Sequence, residues 1–470
     1  MEFNKTPTVE EPEPVSPHAQ YLNSSVLSIC VLAVLESEVP IDDSQTTVLL
    51  EKMLLPINPR FSSIMVLDDH GVGHWKKVEV KLEDHVRVAV FPDGLPATTY
   101  DECFQEYMSK ISMEMLPQSR PLWEIHLFKY PTSNAAGTVV LKFHHALGDG
   151  FSLMGALFSC TRRADDPSLP LTFPSSRPKP IPNNHGAGGL SILKKAHGFV
   201  SLLFNSASDF AWSLLKSSFL EDEQNPIRSG TAGVEFRPKT VSTVNLSLDR
   251  IGQIKEKIGG TINDVLCGVI FYGVRLYMYN SNRSSSHISS TALVLLNTRI
   301  INNIQSIQEM MKPDTKAPWG NYFAFLHVSI PILDADTTTP LDFVLKARQI
   351  VKRKRSSLAV YLNAKLLETT RKFRGPERAA QIIHSTLKNT SLAITNMVGP
   401  KEKVTLAGHP VSGLYFTVSG VPQSLTITAV SYMGTLRLGV EAEKDFIDNQ
   451  QFKSCIEEAF RKIFEAALSA

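Results

Sequence analysis

The chain has little that would tie it to nucleic acid, to a disulfide scaffold or to a membrane-spanning anchor. Its formal charge is only +2 over 470 residues, too weak a field to gather a polyanion. Its five cysteines (Cys30, Cys103, Cys160, Cys267, Cys455) form no Cys-x-x-Cys pair. Three fall in apolar-periodic segments and read as buried thiols, which predicts a reducing compartment. The apolar run from Val26 to Leu35 is too short to span a bilayer and is rich in β-branched residues, so it predicts a core strand. No secretory signal is expected. Residues 1–17 are acidic and proline-rich (Glu10, Glu11, Glu13; Pro7, Pro12, Pro14, Pro17), the opposite of a basic leader, and predict a disordered tail. No solenoid repeat is visible.

What is present is an ordinary globular composition, 43% apolar and 20% charged, long enough for two or three domains. Strands and helices mix over residues 18–163. Six prolines from Pro167 to Pro182, then Gly186, Gly188 and Gly189, mark an exposed linker. Residues 164–239 are therefore set apart as linker and crossover helix, and 240–470 as a second lobe. In that lobe strands are expected at 241–248, 292–296, 326–330, 391–396, 415–418, 425–431 and 435–440. A helix capped by Asp249 stops at Gly259-Gly260, another runs from Asn263 to Tyr279, and an amphipathic helix closes the chain from Gln451 to Leu468.

The most informative segment is Thr-Val-Val-Leu-Lys-Phe-His-His-Ala-Leu-Gly-Asp-Gly, residues 138–150. Strand alternation puts Val139, Leu141, Phe143 and His145 on one face and Val140, Lys142 and His144 on the other. Phe151 to Arg163 then resumes at helical spacing. A histidine on the buried face of a strand end, beside a glycine-rich turn, fits a general base. Each residue also has a structural reading, His145 as a core histidine and Asp149 as a helix N-cap. A metal is not expected, because adjacent strand histidines diverge.

The whole pattern His-His-x-x-x-Asp-Gly is more specific than its parts. It resembles the signature of the acyltransferase superfamily that includes chloramphenicol acetyltransferase, plant acyl-CoA transferases and peptide-synthetase condensation domains. Pro121-Leu122-Trp123-Glu124, Asn263-Asp264-Val265-Leu266, Leu296-Asn297-Thr298-Arg299 and Thr395-Asn396-Met397-Val398-Gly399-Pro400 follow in that order over nearly the whole chain. Together they resemble the bifunctional wax ester synthase/diacylglycerol acyltransferases. The segments Gly420–Leu425 and Ser431–Gly434 are similar to the plant members. Thr395 stands where bacterial relatives commonly have serine, so a hydroxyl is kept. The Asp-Phe-Gly-Trp-Gly block of the sister alcohol acyltransferases is absent.

The resemblance implies an α/β fold of two chloramphenicol-acetyltransferase-like lobes, a pseudo-dimer with the catalytic channel between them. It implies transfer of a fatty acyl group from acyl-CoA to a long-chain fatty alcohol, to diacylglycerol or to both, with no cofactor beyond the coenzyme A thioester. His145 is then the general base, alongside His144, Asp149 and Gly150. Gly148 and Gly150 would let the backbone turn sharply. Asn263, Thr395 and Asn396 are oxyanion or channel candidates, although Asn263 also reads as a helix cap and Thr395-Asn396 as the start of a turn. Trp123 reads as channel wall or as core, and Arg299 as the cross-lobe partner of Asp149. No G-x-S-x-G elbow is present, which favours direct transfer over an acyl-enzyme. Two other readings stand beside this one: a superfamily member with a small alcohol or amine acceptor, and a catalytically silent lipid carrier.

Residues 190–220 repeat apolar side chains at Ile192, Ala196, Phe199, Leu203, Ala207, Phe210 and Leu214, with Lys194, Lys195, Ser201, Asp209 and Lys216 mostly opposite. That pattern fits a helix lying on a membrane surface and a helix packed on the protein's own core equally well. A spanning helix fits worse, since each buried charge would cost about 2.5–3.5 kcal/mol. Lys346 to Arg374 carries ten basic residues against Glu368. It reads as a solvated helix face, or as a surface for coenzyme A phosphates or anionic lipids. The resemblance implies the cytosolic face of the endoplasmic reticulum membrane, with the plasma membrane as a further site. The partners expected are fatty acyl-CoA, a long-chain alcohol or diacylglycerol and a membrane surface, with no nucleic acid and no metal.

Overall fold

A computed structural model describes residues 13–69, 72–174, 190–299, 319–332 and 339–469, with backbone alone for 190–203 and Ser286. The tail before Glu13 and the proline- and glycine-rich stretch from Pro178 to Gly189 lie outside the described residues.

Two large mixed sheets dominate. The first has seven strands in the spatial order Val86–Val88, Trp123–Phe128, Gly137–His144, Cys30–Ser37, His409–Ser419, Val404–Leu406, Thr161–Arg163. The second has six: Phe323–Ser329, Thr291–Asn297, Leu392–Val398, Leu425–Tyr432, Thr435–Glu443, Lys239–Ser247. The His-His strand is interior to its sheet, pairing Cys30 with His144 on one side and Trp123 with Phe143 on the other. Two strands of the first sheet come from residues 404–419, far beyond residue 240, so the sheets do not divide where the linker does.

In the second lobe, alternation decides which side of the sheet is core. Leu436, Leu438, Val440 and Ala442 bury against the helices Ile262–Ser281, Pro340–Ser356 and Asn449–Ser469. Gly268 and Gly273 permit those helices to cross closely: a Cβ on them would stand 2.6 Å from Val344 Cα and 2.5 Å from Ile456 Cδ1. The opposite side meets the first sheet, where Arg437 donates to Glu36 at 2.7 Å and Thr428 Oγ1 donates to the Phe416 carbonyl.

Several local expectations are corrected. Residues 13–17 of the expected disordered tail are docked: Trp75 N–H donates to the Glu13 carbonyl at 2.8 Å, Val15 is buried, and Ser16 caps the helix Pro17–Leu22. The helix after the glycine-rich turn ends at Ser159, because Thr161–Arg163 leaves to pair with Val404–Leu406. Ser247, not Asp249, caps the helix Leu248–Ile258; Asp249 lies in its first turn, near the positive end of the helix dipole.

The largest correction concerns the helix Leu190–Ser218. Its described part packs inward through a polar stripe of Ser206, Asp209, Ser213 and Lys216. Asp209 is met by Arg353 at 3.0 Å and Lys354 at 2.8 Å, and Lys216 pairs with Asp222. Phe204 and Leu215 face outward, followed by Phe219 and Leu220. Burial of these charges is tolerable because each is paired. Among the described residues, no helix is long and apolar enough to cross a membrane.

Candidate active site

The His-His strand ends at the seam between the lobes, where backbone pairing holds the chain extended one residue past the strand. His144 N–H donates to the Leu122 carbonyl at 2.9 Å and His145 N–H to the Ile29 carbonyl at 2.8 Å. The turn then closes with Leu147 N–H on the His144 carbonyl. The Leu147 carbonyl accepts from Trp319 Nε1 at 2.7 Å and from Arg60 at 3.3 Å.

The two histidines do different work. His144 is fully buried. Its Nδ1 accepts the Ala146 N–H at 3.1 Å, so Nε2 carries the proton and faces Ser28 Oγ at 3.0 Å. Burial pushes its pKa down to about 3. With both nitrogens engaged, it pins the turn and is closed to substrate. His145 retains 7% of its surface, and Asn321 clasps it at two points. Asn321 Nδ2 donates to the His145 carbonyl at 2.9 Å, which orients the amide so that Oδ1 accepts from His145 Nδ1 at 2.8 Å. That bond places the ring proton on Nδ1 and leaves the Nε2 lone pair free. Burial lowers the His145 pKa, partly offset by the Asp149 charge and the Asn321 bond, so the imidazole is held neutral.

Asp149 is both N-cap and cross-lobe anchor. One oxygen accepts Ser152 N–H at 3.0 Å, capping the helix Gly150–Ser159. The other pairs with fully buried Arg299 and accepts Tyr322 N–H at 2.9 Å. Arg299 continues to Ser152 Oγ at 3.0 Å and the Gly320 carbonyl at 2.7 Å, and lies 4.6 Å over the Tyr322 ring. Residues 319–322 of the second lobe are thereby stitched to the turn bearing His145. Neither Gly148 nor Gly150 has positive φ. Their value is space: a Cβ would stand 2.8 Å from Ser152 Cβ at Gly148 and 3.2 Å from Met397 Sδ at Gly150.

The remaining predicted residues separate. By alternation Thr395 shares the strand face of Met397, which points toward Gly150 and the first lobe. Asn396 faces the other way and donates to Asn263 Oδ1 at 2.6 Å. Asn263 lies inside the helix Ile262–Ser281, whose cap is Thr261. Trp123 is fully enclosed, donating to the Phe61 carbonyl at 2.9 Å and stacked on His85; it is core rather than channel wall. Sequence reading missed Asn321, Ser152 and Trp319. The one signal available was Trp-Gly-Asn at the foot of the strand Phe323–Ser329.

Phe323 meets the His145 ring edge-on, centroids 5.4 Å apart. Its strand, together with the helices Pro17–Leu22, Leu190–Ser218, Ala359–Arg374 and Pro376–Lys388, encloses a mostly apolar pocket of about 740 Å³, partly open to solvent. Its mostly hydrocarbon lining suits an apolar chain.

Residues 26–266 match the family described as the wax ester synthase/diacylglycerol acyltransferase catalytic domain. Residues 319–464 match the WS/DGAT C-terminal domain. Wax ester synthase/diacylglycerol acyltransferase 11 of Arabidopsis thaliana is 31% identical over 94% of this chain and 92% of its own length. Number 7 of the same plant is 30% identical over 90% and 91%. Among solved structures, the wax ester synthase/diacylglycerol acyltransferase from Marinobacter aquaeolei VT8 superposes with a TM-score of 0.59 at 15% identity, covering 97% of this chain and 99% of that one. The first condensation domain of the CDA synthetase gives 0.54 at 15% identity, covering 98% and 97%. The fold is thus the two-lobed, chloramphenicol-acetyltransferase-like α/β arrangement.

Proposed function

The chain belongs to the wax ester synthase/diacylglycerol acyltransferase family and is an O-acyltransferase, and on that premise we propose that it carries a long-chain acyl group from acyl-CoA to a long-chain alcohol, to diacylglycerol or to both, with His145 as general base. The observation that carries this reading is the Asn321 clasp, which supports an unprotonated Nε2 on a buried, neutral imidazole.

Nε2 takes the acceptor's hydroxyl proton as its oxygen attacks the thioester carbonyl. The C–O bond forms, the carbonyl oxygen becomes negative, and the C–S bond then breaks as the imidazolium returns the proton to the departing sulfur. General-base help of this kind contributes about 10² to 10⁴-fold. Thr395 is the hydroxyl we assign to the oxyanion, on the strand face it shares with Met397. Asn263 and Asn396, bonded to each other, act at most on the channel wall. Asp149, Arg299 and Gly150 position the turn.

We further assign membrane contact to the outer side of two adjacent helices. Phe204 and Leu215 on one, and Tyr361, Leu362 and Phe373 on the other, are exposed above the apolar pocket. Exposed Lys365, Lys372 and Arg374 lie among them. Apolar side chains within a basic surround suit an anionic bilayer surface. The cytosolic face of the endoplasmic reticulum is the location this chemistry favours, because acyl-CoA and diacylglycerol meet there.

The test is acyl transfer by purified protein, with labelled palmitoyl-CoA and with hexadecanol and diacylglycerol in competition. The parent should form wax ester, triacylglycerol or both, and His145→Ala should lose about 10² to 10⁴-fold while still binding acyl-CoA. Turnover that survives the substitution would remove His145 as base. A folded parent that binds acyl-CoA yet acylates neither lipid would point to a small acceptor or to a carrier.

A further inference from the structure

Two histidines line the apolar pocket, and one of them has an unmet hydrogen bond. His18 lies at the end near His145, its ring 6.2 Å from that of Phe323. His327 lies on the same strand as Phe323 and, four residues on, points to the same side. It is 5% exposed, and its Nε2 is buried with no partner among the described residues. The other ring nitrogen is accounted for: Asn363 Nδ2 donates to Ser213 Oγ at 2.9 Å, and Ser213 Oγ lies 3.4 Å from His327 Nδ1. With the serine hydroxyl donating to Nδ1, Nε2 bears the proton, a buried N–H on a residue that lines a cavity walled largely by hydrocarbon. An unmet polar group in such a place is costly unless water or a ligand meets it.

We propose that this pocket takes an alkyl chain bearing a hydroxyl near its middle, and that His327 Nε2 recognises that hydroxyl. The proposal rests on acyl transfer at His145. Four strand residues separate Phe323 from His327 by about 13 Å. A chain reacting at His145, passing Phe323 and running along the strand, therefore reaches His327 on the order of ten to fourteen carbons from its reacting end. A hydroxyl both donates and accepts, so it meets the imidazole in either tautomer. A carboxylate does not fit, since burying it needs a free cation and the neighbouring Lys216 and Lys354 already pair with Asp222 and Asp209. The hydroxylated chain can be that of the thioester or that of the alcohol, and the measurement separates the two.

One arm compares stearoyl-CoA with 12-hydroxystearoyl-CoA on hexadecanol. The other compares octadecanol with 1,12-octadecanediol on palmitoyl-CoA. The parent should favour the hydroxylated chain in one arm by about five- to tenfold in kcat/KM, mainly through KM, and that arm names the occupant. His327→Phe keeps the ring and removes both nitrogens, and should bring the ratio to about one. Ser213→Ala, which removes the contact that fixes the orientation of the ring, should weaken it and serves in place of the phenylalanine variant if that fails to fold. Equal kcat/KM in both arms would overturn the proposal, as would a preference that survives His327→Phe. Product from plain chains without discrimination sinks this inference alone, whereas no product from any chain sinks the acyl-transfer reading and this inference with it.

Discussion

The turn bearing His145 and the helix pair above the pocket are built on opposite plans. The turn is polar, sealed and fastened from several directions: Asn321, Arg299, Asp149, Ser152 and Trp319 each fix a part of it. The helix pair hides its polar stripe and turns Phe204, Leu215 and Tyr361 outward. One region holds a single nitrogen in place, and the other offers a greasy surface where no single position matters. A sealed polar site should therefore fail abruptly when one member is removed, and the apolar face should weaken by increments.

Arg299→Ala tests the first half of that contrast most severely. It leaves Asp149 buried and unpaired, which should cost about 3–5 kcal/mol. Urea unfolding should show that loss, with activity falling alongside. A change under about 1 kcal/mol, the scale of an exposed pair, would show that the lobes are not fastened there.

Asn321→Ala should keep the fold and lower kcat about 10²-fold, the scale of a misplaced catalytic group. It also has a pH signature that a merely structural residue would lack. The Asn321 bond raises the pKa of His145 against the lowering by burial, so its removal lowers that pKa further. Activity needs the neutral imidazole, so the acid limb of kcat/KM should begin below pH 6.5 in the parent and move to lower pH in the variant. An unmoved limb would mean that Asn321 does not set the protonation of His145.

The double variant Phe204→Ser with Phe373→Ser probes the second region, and its effect on turnover should be the smallest. Binding to anionic vesicles should weaken by up to about 1.5–3 kcal/mol for each phenyl ring that leaves the bilayer. Transfer between soluble short-chain substrates should remain close to the parent. Undiminished vesicle binding would exclude this face as the membrane contact.

How far the sequence could be read follows the same division. The pairing of Asp149 with Arg299 was legible because their motifs are short and chemically specific, and strand alternation already set the two histidines apart. Asn321 was not, since the pairing that gives it meaning spans 176 residues. The helix Leu190–Ser218 was legible as a helix, but not the burial of Asp209 and Lys216 on the face read as polar. Periodicity separates two faces without saying which is buried, and Asp209 is buried only because Arg353 and Lys354 arrive from another helix. The two strands from residues 404–419 were likewise hidden. Nothing local in His409–Ser419 tells that its partner is Cys30–Ser37 rather than a strand of its own lobe.

That last pairing bears on how the protein is made. On the ribosome the His-His strand and Cys30–Ser37 emerge early, yet the second neighbour of Cys30–Ser37 emerges only with residues 409–419. At about 5–20 residues per second, the nascent first sheet waits on the order of tens of seconds with an apolar edge uncovered, the kind of edge that recruits other chains. The enzyme is thus exposed to aggregation during most of its own synthesis, and any fragment that stops short of residue 419 carries that exposure permanently.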